Sequence, residues 1–549
     1  MEYFERFLEH TSSNDLNVDE CLITYNGTED LNIFSIYKEC YHCSEYEHFK
    51  TLSQSSAFIY KIVPNRRWKI RFATNESIIC NITPNLGEFG EYELQISNAT
   101  SCHFKTLKQP VNIYYPLFAI PILLFLSIFI PFAYTSLREL LRKKDSEPPT
   151  SVQKTKSKRV TAIDTFRGIC IVMMIFVNDG AGAYRFLEHA VWNGLQFADV
   201  IFPWFMWIMG FCIPISIQSQ LKKRVNRFQI FAQILQRSIT LFIIGLGLNT
   251  VASGANVETI RICGVYQRFA VCYFVVGVIM VIFTRRDYGP PKSTLAETCE
   301  DILKILPQWI VIGILVAVHT CVIFLIEFPG CPKGYLGPGG FHENGEYFNC
   351  TGGITRYIDE FLLGKDHMYQ WPEIITIYKA PTFDPENILG CLTSIFQVFL
   401  GVQAGVTLRT HKSKYGRINR WIIWGVITGI VGGILCQFKI EDGWIPINKN
   451  LWSLSFVLVT SSLAYFLFAF CYYLIDVLKL WSGRPFLYPG TNVTIIFVGH
   501  MVCYQMFPFH FSFSGMNTHF ILLLENLWST IIWVIIAYCL WRNEFFLSI

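Results

Sequence analysis

Long apolar stretches recur along this chain from residue 115 to its end, each about the length of a helix that crosses a hydrocarbon core and each bounded by polar or charged residues. Eleven are predicted, at 115–136, 162–179, 198–220, 229–250, 263–284, 305–326, 388–408, 421–437, 451–474, 490–507 and 520–541. The first 114 residues read differently. Short β-prone runs such as Ala57-Phe-Ile-Tyr-Lys-Ile-Val, Trp68-Lys-Ile-Arg-Phe and Tyr92-Glu-Leu-Gln-Ile alternate there with turn clusters, which predicts a small β-sandwich. The expected fold class is a polytopic α-helical membrane protein of about 11 transmembrane helices with a small N-terminal β-sandwich-like domain. Its expected units are a β-rich domain (1–114), a first crossing (115–136), a basic linker (137–160) and a ten-helix domain (161–549) with a long loop at 327–387.

Composition agrees, since 52% hydrophobic and 16% charged residues in 549 are too apolar for a soluble protein of this length. Charge then gives direction. Lys and Arg number eight in 137–160, four in 222–227, four in 285–304 and five in 409–420, against eight in all the intervening loops together. By the positive-inside rule those basic loops are cytosolic, the N-terminus is luminal and the C-terminus cytosolic. The basic residues are membrane flanks and make no case for nucleic acid.

Sequons at Asn26, Asn75, Asn81 and Asn98, and a fifth at Asn349 in the long loop, are expected to be glycosylated, whereas Asn492 falls at a cytosolic mouth and is not. Cys21, Cys40, Cys43, Cys80 and Cys102 suit an oxidising lumen. Cys40-Tyr-His-Cys43 has the spacing of a redox pair or a zinc half-site, but with no second CxxC a structural disulfide is expected, as is a loop disulfide of Cys331 and Cys350. The opening Met1-Glu-Tyr-Phe-Glu-Arg lacks the features of a signal peptide. Either such a segment is missing from the chain as given, or the first crossing is a reverse anchor.

Ionisable groups inside or beside the apolar spans are the chemically informative ones, because burying one costs at least about 2.5–3.5 kcal/mol. Asp164 and Arg167, three residues apart, form either an ion pair or a seat for an anionic ligand. Asn178 and Asp179 close the same span, and His189 follows in a short loop crowded with Glu188, Trp192, Asn193 and Asp199. An imidazole there is either a capped interfacial residue or a general base or nucleophile. Arg237, Arg268 and His500 lie within later spans, where a structural role and a place in a site compete. Asn448-Lys-Asn-Leu-Trp-Ser offers Lys449 for an anionic group and Trp452 either for a sugar ring or as an interfacial belt residue. No P-loop, dinucleotide fingerprint, HExxH or GxSxG is present, and no metal is expected.

Several of these segments resemble a known family. Arg159-Val-Thr-Ala-Ile-Asp-Thr-Phe-Arg-Gly, His189-Ala-Val-Trp-Asn-Gly, Ala198-Asp-Val-Ile-Phe-Pro-Trp-Phe, Gly264-Val-Tyr-Gln-Arg-Phe, Gly330-Cys-Pro-Lys-Gly-Tyr, Phe399-Leu-Gly-Val-Gln-Ala-Gly and Ile445-Pro-Ile-Asn-Lys-Asn-Leu-Trp are similar to the heparan-alpha-glucosaminide N-acetyltransferases of the lysosomal membrane. The resemblance implies transfer of acetyl from cytosolic acetyl-CoA to the amine of a terminal glucosamine of heparan sulfate in the lumen. It further implies a dimer, with His189 as active-site histidine and Asn178 as its neighbour.

On that reading His189 is base or acetyl carrier, and Asn178 or Asn193 donates to the oxyanion. A pantetheine arm of roughly 15–20 Å must bridge most of a core about 30 Å thick. Arg167 and Arg237 have the depth to hold the phosphates, whereas Arg268, nearer the lumen, orients groups at the thioester or is structural, and His500 is the further candidate beside them. Two alternatives stay open: a membrane sugar O-acyltransferase, whose opening motif Ile163-Asp-Thr-Phe-Arg-Gly also resembles, and a proton-coupled transporter.

Overall fold

Residues 16–27, 30–37, 39–44, 47–52, 56–61, 69–74, 77–97, 101–120, 122, 160–286 and 297–547 are described in a computed structural model of the protein. Eight N-terminal strands build a small head: β1 (Glu20–Tyr25), β2 (Leu31–Ile36), β3 (Glu47–Leu52), β4 (Ser56–Lys61), β5 (Lys69–Ala73), β6 (Ile78–Ile82), β7 (Glu91–Ser97) and β8 (Ser101–Lys108). They form two four-stranded sheets, ordered β4-β1-β7-β8 and β3-β2-β5-β6, with β1 parallel to β7 and every other pair antiparallel. Alternation is the cause: in Leu31-Asn-Ile33 of β2 the apolar side chains turn inward, where Ile23, Ile70, Phe72 and Leu94 meet them. A Cys80–Cys102 disulfide joins β6 to β8, and Cys40–Cys43 and Cys331–Cys350 pair as expected, leaving Cys21 a buried thiol.

The rest is helical. We number α1 (Thr161–Asn178), α2 (Ile201–Lys222), α3 (Arg227–Ser253), α4 (Val265–Phe283), α5 (Leu306–Leu325), α6 (Ile354–Leu363), α7 (Gly390–Thr410), α8 (Lys414–Leu435), α9 (Leu454–Tyr472), α10 (Val493–Val502) and α11 (His519–Arg542). Among the described residues nine of these, all except α6 and α10, are long and apolar enough to cross a membrane. The expected first crossing falls outside the described residues except for 115–120 and 122, as do 137–159 of the basic linker, Asn75 and Asn98. The expected tenth, 490–507, is not one span. Pro489 and Gly490 end a short helix, Asn492 leaves helical geometry, and its side chain bonds the Phe545 carbonyl (2.8 Å) and the Leu547 amide (3.1 Å) before the ten residues of α10 begin.

Two helices form the centre. The most apolar windows of α2 and α7 are 72% and 83% buried, whereas those of α3, α5 and α8 are 28%, 22% and 28% buried and turn apolar sides outward, as lipid-facing helices do. Small residues set the central contact: a Cβ at Gly210 would overlap the Val398 carbonyl, and one at Gly401 the Trp207 carbonyl. Backbone against backbone is the packing that glycine permits in a bilayer. The head rests on the ends of the bundle through Tyr184 Oη to Ile113 O (2.7 Å), Asn517 Nδ2 to Leu16 O (3.0 Å) and Tyr378 Oη to Glu39 O (2.6 Å). That end is the head face. Gly210→Ala should lower the thermal midpoint of the purified protein sharply, costing at least about 3 kcal/mol by overpacking. Gly247→Ala, with open space around its Cβ position, should leave it nearly unchanged.

Candidate active site

On the head face, α1 ends at Asn178, Asp179 caps it, and the left-handed Gly180 (φ 111°) turns the chain into the loop that carries His189. Arg185, almost wholly buried, pins this loop: its guanidinium makes a two-pronged contact with Glu373 (3.1 and 3.0 Å) and a third with Glu188 (2.6 Å). Gly194, at φ 112°, then donates to the Ile447 carbonyl (2.8 Å), so the loop lies along the 445–453 segment.

His189 is held by one carboxylate. Asp199 Oδ1 is 2.8 Å from His189 Nδ1, and Asp199 Oδ2 accepts from the amides of Ala190 (3.1 Å) and Gln196 (2.9 Å). An ionised carboxylate only accepts, so Nδ1 carries the proton and Nε2 presents a lone pair. Asp199 has no exposed side-chain surface, while 45% of the His189 side chain is open to solvent. Protein nonetheless surrounds the ring, which is the geometry of a recess. Burial and then the Lys449 charge push its proton affinity below that of a free imidazole, against the Asp199 carboxylate, which raises it.

The other expected residues divide. Lys449 stands beside the dyad with no carboxylate within ion-pair distance among the described residues, and burial lowers its proton affinity. Asn178 is exposed at the end of α1. Asn193 is already engaged: its amide donates to Glu441 and its carbonyl accepts from Asn448 (2.9 Å), so it ties two loops instead of facing a ligand. Trp452 is fully buried between the Arg268 guanidinium (4.7 Å), Phe202 and Phe456, which leaves no face for a sugar and corrects both readings given to it. Arg268 donates to the carbonyls of Asn387 (2.9 Å) and Pro385 (3.3 Å) and so serves the loop. His500 is buried near Asp179 (3.6 Å) and Trp533.

Those arginines do meet. Arg167, ion-paired to Asp164, and Arg237, stacked over Tyr273 (4.7 Å), both line a cavity of about 200 Å³ between α1, α2, α3, α4 and α10. A second cavity of about 460 Å³ shares Ile213, Ser216, Arg237 and Tyr273 with it and continues to Gln220 and Ile230. The groove therefore follows α2 from Phe205 to Gln220, about 22 Å at 1.5 Å per residue. Asp199 sits in the 3-10 turn (Phe197–Val200) that leads into the head-face end of the same helix, six residues before Phe205.

Sequence reasoning gave Asp199 no role, although a carboxylate at the mouth of an apolar span was a usable signal. It also passed over Arg185, Arg261 and the cluster of Asp179, His510 and Glu525, in which His510 Nε2 is 3.2 Å from Asp179 and His510 Nδ1 2.8 Å from Glu525. Arg261 clamps Asp384 through two bonds (2.9 and 2.6 Å).

A bundle of apolar helices with a carboxylate-oriented imidazole at one end defines a polytopic membrane protein with an enzyme-like site, and comparison with known proteins narrows the class to acetyltransferases. The family profile "Heparan-alpha-glucosaminide N-acetyltransferase, catalytic" matches residues 159–288, which include the dyad, Arg167, Arg237 and Arg268. The human heparan-alpha-glucosaminide N-acetyltransferase is 34% identical over 99% of this chain and 90% of its own length. The mouse enzyme of the same name is 35% identical over 88% of this chain and 80% of its own. The chain belongs to the heparan-alpha-glucosaminide N-acetyltransferase family. Arg185→Lys keeps the charge but loses the fork that grips Glu373, and should lower kcat about tenfold, or ~1.4 kcal/mol, with the thermal midpoint little changed.

Proposed function

We propose that this protein transfers the acetyl group of acetyl-CoA, bound from the cytosolic end of the groove, to the amine of a terminal glucosamine of heparan sulfate presented at the head face in the lysosomal lumen. The observation that carries the reading is that α2 both anchors Asp199, which orients His189, and forms the wall of the groove holding Arg167 and Arg237. The donor's length matches the groove, so its phosphates stay with the arginines while the thioester approaches the recess. The polarity of the loops supports this orientation, with the basic residues on the face opposite the head.

In an acidic compartment the acceptor amine is mostly protonated, and only the neutral amine attacks a thioester. His189 Nε2 takes the proton from the amine as the N–C bond forms, and Asp199 stabilises the resulting imidazolium; collapse of the tetrahedral adduct then breaks the C–S bond, and the imidazolium gives its proton to the departing CoA sulfur. The lowered proton affinity of His189 gives a larger neutral fraction than a free imidazole has at the same pH. The unpaired Lys449 ammonium meets a sulfate or carboxylate of the polysaccharide, which places the amine against the imidazole.

Acetyl transfer from acetyl-CoA to a fluorogenic glucosaminide by the purified protein tests this reading. His189→Ala should abolish turnover, and full activity in that variant would sink the assignment. Since the base is active when neutral and its proton affinity is depressed, the part of the acid limb of kcat/KM that belongs to His189, apart from the acceptor amine's own ionisation, should lie below about pH 6.5. Asp199→Asn removes a group that raises this affinity, so the limb should move to lower pH while kcat falls at least about 100-fold. Arg167→Ala and Arg237→Ala should each raise KM for acetyl-CoA by about tenfold or more, the worth of one charge-assisted bond. Label retained on His189 after incubation with labelled acetyl-CoA alone would replace the base by an acetyl-imidazole carrier.

A further inference from the structure

Outside the recess, the structure brings together His42, His342 and Glu343, three side chains from segments 300 residues apart. Each offers one ligand atom, and these atoms lie within 4.8 Å of one another. His42 sits inside the Cys40–Cys43 turn of the head, and His342 and Glu343 inside the Cys331–Cys350 loop, so each half is closed by its own disulfide. The Asn344 amide donates to the His42 carbonyl (3.3 Å), which seats one turn on the other. Tyr335 Oη, 3.2 Å from His342 Nδ1, fixes that ring as outer-shell partners fix metal-bound histidines. The two imidazoles lie nearly parallel, with centroids 6.1 Å apart.

We infer that His42, His342 and Glu343 form a site for a borderline-soft divalent transition-metal ion of the zinc class, which pins the head to the long loop. Two imidazoles and one carboxylate are a common three-residue zinc set, leaving the fourth position to water. Nitrogen donors select against Mg²⁺ and Ca²⁺, which take oxygen. Ligand atoms on tetrahedral zinc stand about 3.3 Å apart, so the present spacing closes by small rotations of side chains that are partly or fully exposed. Glu441 and Asp442 surround the cluster with negative charge, and Tyr41 Oη donates to Asp442 (2.7 Å). Tyr41, next to His42, bonds Asp442, and the neighbouring Glu441 receives the Asn193 amide, so the site adjoins the rim of the recess without entering it.

The test titrates ZnCl₂ into the full-length, untagged, chelator-stripped protein in detergent, reading bound zinc and the thermal midpoint. One ion per chain should bind and raise the midpoint, while MgCl₂ and CaCl₂ should not. His42→Ala and His342→Ala should each weaken zinc binding by more than the ~10–100-fold typical of an outer-shell loss, and Tyr335→Phe by about tenfold. All three variants should keep the zinc-free midpoint and basal acetyl transfer, which separates a lost ligand from a misfolded loop. X-ray absorption of the zinc-loaded protein should show two imidazole nitrogens. No saturable zinc binding, or binding unchanged in both histidine variants, would overturn the assignment whatever the outcome for acetyl transfer.

Discussion

One carboxylate organises the head face of this protein. Asp199 has no contact with solvent and shares its two oxygens among an imidazole and two backbone amides. A charge so buried is tolerated only while those donors remain in place, because an unpaired carboxylate in that setting costs several kcal/mol. The demand runs both ways. Ala190 and Gln196 bracket the loop, so satisfying Asp199 fixes the loop's path, and fixing the path leaves His189 with its second nitrogen outward.

Around this point the fold separates a rigid centre from adaptable edges. The glycine contact between α2 and α7 leaves the backbones too close to slide, and Asp199 inherits that rigidity at the start of α2. Outer helices turn apolar sides outward, and α3 among them also carries Arg237 into the groove. On the head face, guanidinium forks from Arg185 and Arg261 bind separate loops, making one surface from segments distant in sequence. The relatives' shared name and the reach of their similarity across almost the whole chain fit a site assembled from so many regions.

How much was legible in the sequence follows from the range of each interaction. Apolar periodicity is local, so nine of the eleven expected helical spans, the strand runs in the head and the two short-range disulfides were readable. Depth along a helix is also local, which is why Arg167 and Arg237 could be paired before their shared groove was seen. Side-chain partnership across the fold is not. Trp452 looked like an interfacial aromatic until Arg268 and Phe202 were found against it, and Asn193 looked like a free amide until Glu441 and Asn448 claimed it. The break at Asn492 depended on backbone groups more than fifty residues later, so a run that scored as one span became two pieces.

The groove and the dyad are walls of a single rod, and this has a thermodynamic consequence. Any ligand whose binding shifts or straightens α2 also displaces the carboxylate at its end, so occupancy of the groove and alignment of His189 are linked quantities. Linkage is reciprocal. Whatever free energy a ligand in the groove lends to the aligned imidazole, a second ligand that favours the aligned imidazole would return to the first, without any side chain in common.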